Sequence, residues 1–292
     1  MNHSYYETSA RERLAGVLDG GSFHELLPPS ERVRSPHLLQ LDTPAAFDDG
    51  VAVGRGLLDG RLVLAAVQEG GFMGGAVGEV HGAKLTGLLE RALVERPAAV
   101  LLLLESGGVR LHEANAGLIG VSEVMRAVLA ARQAGIPVIA LIGGQFGCFG
   151  GMGIVARCCD AIVTSEEGRL GLSGPEVIET THGVEEFDSR DRALVWRTVG
   201  GKHRYLLGEV VELVADDIGA FRAAAIGLLD TVPDLGLEAL ECEHDRLGQR
   251  LHRFGGCRDA LDIWRLLGID NPQRLPLLEA ADFLATVADK RG

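Results

Sequence analysis

Two glycine pairs, Gly107-Gly108 and Gly150-Gly151, each follow an apolar run, and they are the residues of this chain best suited to do chemistry. The first run is Ala98 to Leu104, closing on Glu105-Ser106; the second is Pro137 to Ile142. Glycine lets the backbone turn sharply and brings bare N–H groups close to a ligand. A helix starting at such a turn leaves its first N–H groups unpaired, at the positive end of its dipole. Two such ends facing one point would make an oxyanion hole from main chain alone, suited to an enolate or tetrahedral oxyanion of a thioester. One pair serves equally well to let a strand turn tightly into a helix. Two pairs at equivalent points of consecutive strand–helix units point instead to an anion or carbonyl site at one sheet edge.

Competing chemistries leave weaker traces. No G-x-G-x-x-G or G-K-[ST] stretch is present, which disfavours a nucleotide-dependent enzyme. Ser106 lies outside any G-x-S-x-G elbow. Cys148, between Gly147 and Phe149, reads as a thiol nucleophile or, more simply, as a small residue filling space beside a turn. His81, His112 and His182 stand beside glycine-rich elements and are of the right type for an acid or base; each reads as well as a helix-end or surface histidine. Arg110 could hold a carboxylate or phosphate in a forked grip, or be solvated polarity at a helix terminus. The five cysteines include no C-x-x-C pair, so no metal site is expected.

These residues need a scaffold, and the pattern supplies one. Gly50–Leu58 and Arg61–Val67 flank Asp59-Gly60, a two-residue hairpin signal. The glycine-dense loop 70–78 leads into a helix expected over Glu79–Glu95. The helix of the first glycine unit is expected from about Leu111 to Ala134, and that of the second over roughly 150–158, before a strand at 160–165. Residues 168–172 read as one more short strand. Ser173-Gly174-Pro175-Glu176 reads as a helix start with Ser173 as cap. Ala10–Leu18 has helical spacing, and Ser22 to Leu26 reads as another turn in capping-box spacing. Further helices are expected at 192–200, 216–230, 238–254, 260–267 and 278–288. Strand–helix alternation implies an α/β fold with largely parallel pairing. Residues 1–231 form one domain in this reading, and 232–292 a C-terminal helical extension, a docking element for a subunit.

A net charge of −13 argues against nucleic-acid binding, which needs a basic face. No stretch reaches 18 apolar residues, so no membrane association is expected. The odd cysteine count and lack of a signal peptide predict a reducing cytoplasm.

The motifs also resemble a known family. Ser106-Gly107-Gly108-Val109-Arg110-Leu111-His112-Glu113-Ala114 is similar to the Ser-Gly-Gly-Ala-Arg-Met-Gln-Glu-Ala motif of acyl-CoA carboxyltransferases. Phe72-Met73-Gly74-Gly75-Ala76-Val77-Gly78 resembles their Phe-Met-Gly-Gly-Ser-Met-Gly loop. Gly171 to Glu179 resembles their Gly-Phe-Ala-Gly-Pro-Arg-Val-Ile-Glu, and Gly150-Gly151 falls where they carry a glycine pair. The match covers about residues 10–230 in order. It implies the crotonase-like fold, repeated ββα turns in a superhelix. By this resemblance Gly107, Gly108, Gly150 and Gly151 supply the catalytic N–H groups. Met73, Gly74, Gly75, Ser106, Arg110, Ser173 and Gly174 then line the substrate.

Within that family, acetyl-CoA carboxylase β subunits carry an N-terminal four-cysteine zinc ribbon, which this chain lacks, and the chain adds 232–292. Both departures resemble the malonate decarboxylase β-subunit branch. That resemblance implies loss of CO2 from a malonyl thioester carried on the pantetheine-type, dephospho-CoA-derived arm of an acyl carrier protein, with no cofactor bound by this chain. It implies a homologous γ subunit, the acyl carrier protein and an acyltransferase subunit as partners. The alternative is the carboxyltransferase β subunit of a biotin-dependent acetyl-CoA carboxylase.

Overall fold

The computed structural model describes residues 3–291. The chain opens with α1 (Ala10–Val17), the two-residue strand β1 (His24–Glu25) and the short helix α2 (Pro36–Gln40). The hairpin of β2 (Val51–Leu58) and β3 (Arg61–Gln68) is followed by α3 (Glu79–Glu95). Next come β4 (Ala99–Leu103), α4 (Asn115–Gln133), β5 (Val138–Ile142), α5 (Gly150–Cys158) and β6 (Ala161–Ser165). Then α6 (Pro175–His182), α7 (Arg192–Val199), α8 (Gly201–Leu206), β7 (Glu212–Val214) and α9 (Ile218–Gly227) complete the main body. The chain closes with α10 (Leu237–Phe254), α11 (Ala260–Leu266) and α12 (Ala280–Val287).

Among the described residues, seven strands lie side by side in chain order. The first three pair antiparallel, and β3 to β7 pair parallel. The hairpin turn has Asp59 at φ 51° and Gly60 at φ 73°, the two positive values that a tight right-twisting hairpin requires. Beyond the parallel strands, short extended stretches bridge one another: Val77 to Val109, Ser106 to Cys148, and Cys148 to Leu170. Each unit is thus strand, second short strand, helix, and the units advance in one direction.

Both faces of the sheet are covered, which is why its parallel strands read as unbroken apolar runs. On one face Leu64, Leu102 and Ala140 pack under Leu85, Leu89, Val124, Val128 and Met152. On the other, Leu101, Leu103 and Ile139 meet Leu14 and Val17 of α1 and Phe221 of α9. A third cluster joins Leu206, Leu207 and Leu213 to Phe254, Trp264, Leu275 and Phe283. The C-terminal helices therefore share a core with α8 and β7, across the boundary expected at 231. Helix α10 buries only Phe254 and leaves Leu237, Leu240, Leu247 and Leu251 exposed. Among the described residues no helix is long and apolar enough to cross a membrane.

Four local expectations change. Ser22 to Leu26 is not a helical turn; His24 and Glu25 pair with Arg55 and Gly54 on the free edge of β2. The helix expected from Leu111 begins as a separate 3₁₀ turn, Leu111–Glu113, and breaks at Ala114 (φ 50°, ψ −124°), because the Glu113 carboxylate is drawn inward to Arg110 and the Glu79 N–H. Ser173 does not cap α6: Gly174 holds the cap position without a side-chain bond, and Pro175 starts the helix. Residues 168–172 form bridges at Arg169 and Leu170 rather than a full strand. The sequence reading also passed over α8 and β7, six and three residues long.

Candidate active site

The sheet order puts the turns that follow β4 and β5 on one edge, and they touch. A Cβ added at Gly150 would lie 2.9 Å from Gly108 Cα. Gly150 (φ 59°) and Gly108 (φ 131°) both hold backbone conformations that L side chains rarely adopt. The loop after β3 closes the third side: Gly107 N–H donates to Gly74 O at 2.8 Å, and a Cβ at Gly75 would lie 1.9 Å from Glu105 O. Gly74, Gly75, Ser106, Gly107, Gly108 and Gly150 are therefore brought together, with Met73 (φ 51°) and Gly151 as their chain neighbours. Ser173 and Gly174 border it, since Gly150 N–H donates to Leu172 O at 2.9 Å and Gly174 sits beside Phe149.

The hydrogen bonds divide the four catalytic candidates into two kinds. Gly107 and Gly150 have their N–H groups taken, by Gly74 O and Leu172 O. Gly108 N–H is held only by Ser106 Oγ, at 3.2 Å. Gly151, second residue of α5, has no acceptor for its N–H among the described residues, as expected in the first turn of a helix. Gly107 and Gly150 thus have their N–H groups committed to neighbouring loops, the Gly108 N–H is bonded within its own turn, and the Gly151 N–H is unpaired among the described residues. The Ser106 hydroxyl is buried against Gly108, donating to its carbonyl at 3.3 Å, so it supports the turn rather than attacking a substrate.

Arg110 corrects an expectation. Its guanidinium faces protein rather than open space: it is fully buried, 2.9 Å from Asp49 Oδ2 and 2.7 Å from Glu113 Oε1. It also donates to Asp49 O and Ala76 O, which ties the glycine-dense loop to the first turn. Cys148 is a space-filling residue. Burial pushes its thiol up to about 12, so almost no thiolate exists near neutral pH. Iodoacetamide is expected to label exposed Cys242 and leave both Cys148 and turnover untouched, as peptide mapping of the alkylated protein would report.

Behind the turns runs a buried polar chain that the sequence reading missed. Arg13 of α1 pairs with Glu105, and Glu105 accepts from Phe146 N–H at 3.0 Å. Glu105 N–H donates to Gln68 Oε1 at 3.0 Å, and the Gln68 amide donates to His81 Nε2 at 3.0 Å. That bond places the His81 proton on Nδ1, which donates to Asp49 O at 3.1 Å. Glu105, a charge ending a run of buried leucines, was the one signal available in the sequence. His112, by contrast, is exposed, and His182 lies at the end of α6.

Burial lowers His81 to about 3. Burial also lowers His203, whose Nδ1 accepts from Trp264 Nε1, to about 3. Both rings are neutral when folded and would take up a proton near pH 6.5 when unfolded. The unfolded chain therefore binds more protons below that pH, and stability is present above it and falls as pH drops toward 3. Each histidine is expected to contribute a slope of about 1.4 kcal/mol per pH unit below 6. Thermal midpoints between pH 7 and 5, compared with His203→Phe, would check this; an unchanged slope in the variant would refute the assignment.

Comparison with known proteins places this site in context. A family model described as the carboxyl transferase domain matches residues 2–225. The malonyl-S-ACP:biotin-protein carboxyltransferase of Malonomonas rubra is 40% identical over 98% of this chain and 96% of its own length. The acetyl-coenzyme A carboxylase carboxyl transferase subunit beta of Fusobacterium nucleatum is 34% identical over 62% of this chain and 60% of its own length. Among solved structures, a Pseudomonas malonate decarboxylase hetero-tetramer in complex with malonate superimposes with TM-score 0.82 and 40% identity, covering 91% of this chain and 97% of that one. The ββα units described above are the crotonase-like fold that these neighbours share.

Proposed function

Since the chain belongs to the carboxyl transferase domain family, we propose that it is the β-type subunit of a malonate decarboxylase, acting on a malonyl thioester with a homologous second chain. The observation that carries this reading is the contact of Gly108 with Gly150, which brings the glycine turns after β4 and β5 together at one sheet edge. Removal of CO2 breaks the bond between the carboxylate and the α-carbon. Its electron pair forms a carbon–carbon double bond, and the thioester oxygen becomes an enolate oxyanion. The Gly108 and Gly151 N–H groups would stabilise that charge, each worth about 2.7–4 kcal/mol by analogy with oxyanion-hole donors elsewhere. Protonation of the α-carbon then leaves the acetyl thioester.

The relatives solved with malonate decarboxylase subunits are hetero-oligomers, and this chain is read as one subunit of such an assembly. We further propose that the thioester is carried by the pantetheine-type arm of an acyl carrier protein, loaded by an acyltransferase subunit. No cofactor is assigned to this chain.

A second reading has its own support. The Malonomonas relative is named for carboxyl transfer to a biotin protein, and the same enolate site would serve transfer as well as release. The deciding assay is CO2 release from a malonyl thioester by the chain co-expressed with its homologous partner, with and without avidin. Avidin-resistant release supports the decarboxylase; carboxyl transfer to biotin protein with little release supports the transferase. Absence of both reactions would overturn the enolate site.

A further inference from the structure

We propose that Glu105 is a positioning residue, the brace that holds the three glycine loops in register around the oxyanion donors. The proposal rests on the enolate reading of the site and names a residue which that reading does not use. Glu105 ends the apolar run of β4, one residue before Ser106, and its side chain is buried. Its carboxylate reaches the second turn, where Oε1 accepts the N–H of Phe146 at 3.0 Å. Two loops press on the same carboxylate. A Cβ at Gly70 would lie 2.5 Å from its Cδ, and one at Gly144 would lie 2.3 Å from it. The main-chain carbonyl of Glu105 meets the third contact, at Gly75.

Arg13 compensates the buried charge from α1, and its other nitrogens donate to the carbonyls of Tyr5 and Tyr6. An uncompensated carboxylate here would be costly, and a paired one is rigid. The pair thus ties the N-terminal helix to both catalytic turns. A shift of Phe146 moves the loop that leads into Gly150 and Gly151. Displacement of reacting groups by about 1 Å costs on the order of 10²-fold in rate.

The test separates the hydrogen bond from the buried charge. On an Arg13→Leu background, Glu105→Gln keeps an acceptor for the Phe146 N–H, whereas Glu105→Leu does not, and neither leaves an unpaired charge. Both double variants are assayed as complexes with the homologous chain. We expect kcat of the Leu variant to fall about 10- to 100-fold below that of the Gln variant. KM should stay within about threefold and the thermal midpoints should match. Equal kcat values, or a loss confined to KM, would overturn the proposal. Amide hydrogen exchange across residues 143–149 gives a readout that does not depend on the reaction. Faster exchange in the Leu variant supports the brace, and equal exchange overturns it even if the complex neither releases nor transfers CO2.

Discussion

Replacing Gly150 by alanine is expected to cut turnover of a malonyl thioester by about 10²- to 10³-fold while the chain still folds. Two effects act together. Gly150 sits at φ 59°, where a side chain costs roughly 1–2 kcal/mol. The new Cβ would also lie 2.9 Å from Gly108 Cα, and both atoms are fixed by the backbone, so no side-chain rotation can relieve the contact. The two turns must separate, and the donors on Gly108 and Gly151 separate with them. Gly108→Ala has more room, with the added Cβ 3.7 Å from Gly150 Cα, but it must hold φ 131°. Its loss should be the smaller of the two. Steady-state kinetics with circular dichroism would check both; near wild-type turnover in folded Gly150→Ala would remove the facing turns from the mechanism.

The second large effect is on stability. Arg110→Met is expected to cost about 3–5 kcal/mol, because it strands the Asp49 and Glu113 carboxylates in a dry environment. Burial already pushes the Asp49 pKa up, even with Arg110 beside it. The variant should melt about 5–15 °C lower. Arg110→Lys should recover little, since one ammonium cannot bridge two carboxylates and two carbonyls. A variant of normal thermal midpoint that binds substrate poorly would return Arg110 to the role of gripping a ligand anion.

These two cases mark what the chain discloses in one dimension. The hairpin, α3 and the paired glycine turns are written locally, in alternation, helical spacing and adjacent glycines, and they appear where expected. The role of Arg110 is not local. Its partner Asp49 lies 61 residues upstream. Arg13 meets Glu105 across 92 residues, and nothing in a helix of ordinary polarity announces that. The capping role expected of Ser173 failed for a similar reason, since proline at the first helical position suffices to start α6 there. The boundary at 231 is a change of pattern along the chain, whereas the core around Trp264 and Phe283 draws on α8 and β7 from before it.

Strand order equal to chain order has a consequence for biosynthesis. Each strand from β2 onward finds its neighbour already in place, so the sheet can grow from its N-terminal edge as the polypeptide leaves the ribosome. Helix α1 is the exception. It packs against α9, where Tyr5 stacks on Phe221 at 3.9 Å between ring centroids and Ser4 bonds Asp216. Helix α1 can rest on β3 and β4 as soon as they form, but its packing is completed only when α9 has been made. Until α9 arrives, α1 and the apolar face of the sheet beside it lack Ile218, Phe221 and Ala225 as cover, and the nascent chain is most exposed to misassembly in that interval.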